Sequence, residues 1–124
     1  MTATVITIIP QTVEGHPSGN YDGSSLDWLS GPVQAADYYH TSSIQTIFFN
    51  LRDFLGLIKI EATQSTEAAS NDVWVEIASF GSLPPDGPIT TNFPATRVGN
   101  YTWLRAQVEN FTQGTIVAVT VEYL

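Results

Sequence analysis

Four stretches of this chain alternate apolar and polar residues with a period of two, and no other feature restricts its fold as strongly. Ile58, Ile60 and Ala62 alternate with Lys59, Glu61 and Thr63. Val73, Val75 and Ile77 alternate with Asp72, Trp74 and Glu76, and Leu104, Ala106 and Val108 with Trp103, Arg105 and Gln107. Val117, Val119, Val121 and Tyr123 alternate with Ala118, Thr120 and Glu122. Side chains on a strand point to opposite faces in turn, so each set gives one face to a core and a mixed face to something else. The residues are mostly Val, Ile, Thr, Tyr, Phe and Trp, which suit a pleated, half-buried surface.

The pattern predicts eight strands, at about residues 3–9, 32–39, 43–51, 57–64, 72–80, 88–96, 100–109 and 115–124. Asp53-Phe54-Leu55-Gly56 reads as a short hairpin connection, with a glycine available for positive φ. Residues 65–71 and 98–100 read as loops, and Asn110-Phe111-Thr112-Gln113-Gly114 as a further turn. Ser82 to Pro88 contains three prolines and cannot be a central strand. Residues 10–31 form a long Gly/Ser/Pro-rich loop or arm, a length that in small domains tends to mark a contact site. No window has sustained helical spacing. The expected fold is all-β: a two-sheet antiparallel β-sandwich, jelly-roll-like, in one domain over residues 1–124.

Composition narrows the function classes. A chain of 124 residues cannot hold two independent cores. Hydrophobic residues make up 43%, too many for a disordered chain. Twelve acids against four bases give a net charge of −8. That balance argues against nucleic acid and against an anionic membrane surface, both of which are bound through Lys and Arg. With no cysteine, disulfides and thiolate sites are excluded. No secretory signal and no apolar run of about 18 residues are visible, so a soluble protein made in the cytoplasm is expected.

Motifs for chemistry are sparse. His16 and His40 match no metal-ligand spacing and read as loop histidines. Asp22-Gly23-Ser24-Ser25-Leu26-Asp27 groups oxygen atoms as calcium loops do, but turn-forming Asp and Ser explain it as well. Glu61 and Glu76 are mid-strand acids that could form a hydrolytic pair, but such positions are usually solvated. Asn100-Tyr101-Thr102 and Asn110-Phe111-Thr112 fit the glycosylation pattern but read more simply as a strand start and a turn. No nucleophile elbow or phosphate loop occurs. The expectation is a protein that is not an enzyme, with no catalytic residue, metal or cofactor.

The aromatic residues say more. Trp74 and Trp103 fall on the phase opposite the aliphatic residues of their strands, and Trp28 sits near the long loop. Beside Arg105, an outward Trp could stack on a sugar ring, or enter an interface, where Trp and Arg are enriched. The same face could also be covered within the domain. Trp28, Tyr38, Tyr39, Trp74, Trp103 and Arg105 are the candidate interface residues. Isolated sheet edges are commonly guarded by lysine, and this chain has only Lys59.

The strings Ser43-Ile-Gln-Thr-Ile-Phe-Phe-Asn-Leu51, Gly56-Leu-Ile-Lys-Ile-Glu-Ala-Thr63, Asp72-Val-Trp-Val-Glu-Ile77 and Gly99-Asn-Tyr-Thr-Trp-Leu-Arg-Ala-Gln-Val-Glu-Asn-Phe-Thr-Gln-Gly-Thr-Ile116 resemble small all-β virion proteins of tailed bacteriophages. Their strand order is also similar to that of discoidin-like jelly rolls. The resemblance covers roughly residues 43–124. It implies a virion structural protein: a capsid decoration protein, or a component of a tail, baseplate or fibre. It further implies major capsid or tail proteins as partners, homo-oligomers, and a first 30 residues that grip a neighbour. The alternative is a carbohydrate-binding module for a glycan or host receptor, using the same tryptophans.

Overall fold

The computed structural model describes residues 3–39, 42–66 and 73–124. The fold is all-β, and no helix occurs among those residues. Its strands are β1 (Thr4–Ile9), β2 (Thr12–Val13), β3 (Trp28–Leu29), β4 (Val33–Gln34), β5 (Ile44–Thr63), β6 (Val75–Ser82), β7 (Ile89–Val98) and β8 (Trp103–Tyr123). All pairing is antiparallel and belongs to one open sheet, in which β8 pairs with β5 along almost its whole length. β1, β2, β3 and β4 line the other side of β8, while β6 and β7 pair with successive parts of β5.

The expected partition into two separate sheets is replaced by one sheet that doubles back. Phe93 pairs with Phe49 and Phe80 with Ile58, nine residues apart on β5. Fully extended, that length of strand spans about 30 Å. Yet the Phe80 and Phe93 rings stack at 4.4 Å, and Arg97 Nε donates to the Ile77 carbonyl at 2.6 Å. The two halves of the sheet therefore face each other around a single core.

The bend explains two corrections to the expected strands. Asp53–Gly56 is not a hairpin connection and Asn110–Gly114 is not a turn between strands; both are bulged bends inside β5 and β8. Asp53, Gly56, Asn110 and Gly114 all have positive φ, and the ladder shifts register between Arg52–Thr115 and Leu57–Glu109. The bulge also resets the side-chain phase. In β5, Gln45, Ile47, Phe49 and Leu51 are buried before the bend, and Phe54, Ile58, Ile60 and Ala62 after it. Without that change of parity, one half would turn its apolar face outward.

The other differences are local. Residues 32–39 do not form a full strand: β4 stops at Gln34, and Tyr38 N–H donates to the Ala35 carbonyl in a turn. In β6 the ladder slips between Ile60–Ala78 and Glu61–Glu76; Ala78 is buried, while Val75, opposite the buried Ala62, is left exposed where β6 begins. Residues 10–31 pack on their own sheet. Tyr21 is buried against Trp28 and Phe111, and Ser30 exchanges two hydrogen bonds of 2.8 Å with the backbone of Ala106. Asp27 Oδ1 accepts the Asn110 N–H at 2.9 Å, and Leu26 the Phe111 N–H at 3.0 Å, so this loop straps the bend of β8.

Candidate functional site

The outward side chains of the half-sheet beyond the bend come from alternate positions of β8 and β5. Arg105 lies opposite Glu61, and Lys59 opposite Gln107. Arg105 Nε meets Glu61 Oε1 at 2.7 Å, with both side chains about four-fifths buried. The same guanidinium lies 4.2 Å from the centre of the Trp74 ring. Lys59 Nζ is 3.0 Å from Glu109 Oε1, and that carboxylate holds the ammonium above its ordinary pKa. Half of the four bases are thus neutralised on this face by acids of neighbouring register. A guanidinium over an indole contributes roughly 0.5–1 kcal/mol at an exposed site.

Two residues before Arg105, Trp103 takes the Tyr38 ring edge-on at 5.1 Å, and Tyr38 meets Tyr39 edge-on at 4.7 Å. Trp103 Nε1 donates to the Thr66 carbonyl at 3.4 Å. Five of the six expected contact residues therefore fall into two groups, Trp74 with Arg105 and Tyr38 with Tyr39 and Trp103. Arg105 and Trp103 are successive outward positions of β8. Trp28 is apart from them. It lies opposite Val108, on the core side, and its ring is 5.3 Å from Tyr21.

At the end of this half-sheet farthest from the bend, an open depression of about 640 Å³ is lined by Ala62, Thr63, Gln64, Ser65, Val73, Val75 and Tyr101. Val73 is 80% exposed and Val75 48%, which corrects the expectation that both are core residues. Its described lining offers hydroxyls, an amide and aliphatic carbons, with no charged group.

The remaining candidates for chemistry resolve into local structure. Asp22 Oδ1 accepts the Ser24 and Ser25 N–H groups at 2.9 and 2.7 Å, and its Oδ2 accepts the Ser25 hydroxyl at 2.7 Å. The oxygens that suggested calcium thus close a turn, and Asp27 is held by Asn110. Among the described residues no three His, Asp or Glu side chains come together as metal ligands. Glu61 and Glu76 face each other in the ladder, with Glu61 tied to Arg105. His16 is exposed in the long loop, and His40 lies outside the described residues.

The Asp22 turn gives a pH signature. The Ser24 N–H foremost, then the Ser25 hydroxyl and N–H, hold this exposed carboxyl at about 2, against an ordinary 3.8. A depressed folded-state pKa stabilises the fold above the unfolded value, and that contribution is lost as pH falls from about 4 through about 2. Carboxyl-carbon NMR should place the Asp22 midpoint near 2. A midpoint near 4 would mean that the turn does not form.

Sequence reasoning missed Tyr21, whose buried ring joins the long loop to Phe111 at the bend. An aromatic residue inside a polar loop was the available signal. Comparison with protein-family models, with characterised proteins and with solved structures finds no match.

Proposed function

We propose that this chain is a non-enzymatic structural component that binds and stabilises an assembled particle, of the kind found in phage virions as capsid decoration or tail, baseplate and fibre proteins. Such proteins act by mass action on the assembled form, which binding favours. The observation that carries the reading is the aromatic cluster of Trp103, Tyr38 and Tyr39, with Tyr39 67% exposed, together with the open depression bearing Val73 and Val75, whose lining includes Thr63 opposite Trp103 in the ladder. Trp, Tyr and Arg anchors of this type dominate the energetics of protein contacts. The groups are spread over an open surface, where a protein can dock, and the neighbouring cations Arg105 and Lys59 are already paired with acids. The partners are then major capsid or tail proteins, and the protein resides in the virion.

A carbohydrate platform is the second reading, and the geometry favours it less. Sugar stacking needs an open aromatic face, whereas the Arg105 guanidinium covers one face of Trp74 and Trp103 is engaged edge-on by Tyr38.

The test is density-gradient banding of particles from the organism that encodes the chain, with the chain followed by mass spectrometry. Constant copy number through the particle band is expected, and Trp103→Ala should lower occupancy on the order of tenfold, as loss of a contact anchor does. The reading fails if the chain stays at the top of the gradient as free protein. Glycan-array binding that Trp103→Ala abolishes would favour the sugar reading.

A further inference from the structure

The sheet ends at β1, which among the described residues pairs only with β8 and lies near β4 without a hydrogen bond to it. Among the described residues no backbone hydrogen bond joins β1 to anything else, so one side of the strand presents its N–H and C=O groups unpaired. Native edges are ordinarily guarded by lysine, by proline within the strand or by a covering element. The other long edge strands follow that rule or break their regularity: β7 carries Pro94 and Arg97, and β6 carries Glu76, Gly81 and a ladder slip, with its Ile77 carbonyl taken by Arg97. β1 does not. Thr4-Val5-Ile6-Thr7-Ile8-Ile9 is six consecutive β-branched residues with no charge, glycine or proline. The ladder to β8 is regular from Thr4 to Thr7, and only then come a bulge and Pro10. Val5, 60% exposed, points outward beside Glu122.

We infer that β1 pairs antiparallel with β1 of a second copy of this chain, across a two-fold axis, continuing the sheet through both molecules. Charge selects this occupant. Two chains of net charge −8 repel wherever their acids meet, and β1 is an uncharged strip. The nearest acid on the outer face is Glu122, one strand further in. In the paired dimer the two Glu122 residues stand three strand spacings apart, about 14 Å, beyond the screening length of about 8 Å at physiological salt. Threonine, valine and isoleucine suit facing themselves, since β-branched and Thr–Thr cross-strand pairs stabilise antiparallel sheets. A strand from a basic partner would find nothing on β1 to attract it. One strand inside the edge, over β8 and β5, lies a depression of about 370 Å³ whose lining includes Ala3, Ile44, Phe48 and Leu124, with Glu122 and Thr46 beside them. A two-fold contact of this kind closes on itself and does not propagate into a filament.

The test is sedimentation equilibrium of the full chain, together with amide hydrogen exchange over residues 3–9 at high and low protein concentration. A mass of twice 13.5 kDa is expected at tens of micromolar, with exchange at β1 slowed as concentration rises. Val5→Lys with Thr7→Lys, both at exposed positions, sets like charges on facing strands and should weaken the dimer at least tenfold. Trp103→Ala should leave the dimer intact, which separates a failure of this inference from a failure of the particle-binding one. A 13.5 kDa species at every concentration overturns the pairing. So does a dimer that the folded double-lysine variant retains, or protection of β1 amides that appears only on particles. If the lysine variant does not fold, the concentration dependence of exchange in the unaltered chain decides.

Discussion

Gly114→Ala is expected to remove about 2–5 kcal/mol of stability, enough to leave a domain of this size largely unfolded. Gly114 sits at the bend of β8 with φ at +93°, where an L-residue costs of order 1–3 kcal/mol. The space is also closed. A Cβ there would run into the carbonyl of Asp53, and would lie 2.7 Å from the Arg52 oxygen. Both obstacles are backbone, and they belong to the facing bend of β5, so no side chain can swing aside. Separating the two bends breaks the register that brings the halves of the sheet together. Urea unfolding should show a sharply lower midpoint with little change in slope, or no cooperative transition at all. Gly87→Ala is the control. Its Cβ would meet nothing within 4 Å, and the change should stay within about 0.5 kcal/mol. A Gly114→Ala midpoint equal to that of the unaltered chain would mean that β8 does not bend there.

The same bend shows how far the residues alone disclose the fold. Period-two patterns marked the core faces of Ile58–Ala62 and Leu104–Val108 correctly, because strand alternation is a local property. The bends at Asp53–Gly56 and Asn110–Gly114 were readable as turn chemistry, with positive φ expected at Gly56 but not at Asp53, Asn110 or Gly114. They were not readable as bulges. A hairpin turn and a bulge within a continuous strand ask for the same Asp, Asn and Gly, and only pairing across the sheet tells them apart. Val73 and Val75 went astray because alternation gives the side a residue faces and not whether anything covers it: Val75 lies opposite the buried Ala62, at the start of β6, yet is 48% exposed. In the candidate site, the outward phase of Trp103 and Arg105 on β8 was legible from the aliphatic residues between them. The stacking of Arg105 on Trp74 was not, since it joins residues 31 positions apart through a third strand. Trp28 lay in a loop with no period to give its direction, and the buried Tyr21 beside it supplies the reason that it turns inward.

Phe111→Ala should be nearly as damaging as the glycine change, at about 3–5 kcal/mol. The ring is 1% exposed and lies between Tyr21 at 5.2 Å and Phe54 at 5.6 Å. Phe54 comes from the bend of β5 and Tyr21 from the long loop, so Phe111 fixes three segments at once. Truncation leaves a cavity that these neighbours can fill only by breaking the backbone bonds holding the loop to Asn110 and Phe111. Phe111→Leu keeps most of the volume and should cost less than about 1.5–2 kcal/mol. The distinguishing measurement is hydrogen exchange in Phe111→Leu. Amides of residues 20–31 should lose protection while those of β1 and the distal end of β8 keep theirs, because the defect is confined to the strap. Uniform loss along the chain would show that the loop is an integral part of the core, not a separately opening strap. A cost below about 1 kcal/mol for Phe111→Ala would show that the loop does not hold the bend. Since Phe111 lies inside and Trp103 outside on the same strand, a folded Phe111→Leu protein should occupy particles like the unaltered chain. Occupancy and stability would then vary independently, as they must if the outer face of β8 makes the contact and its inner face only builds the fold.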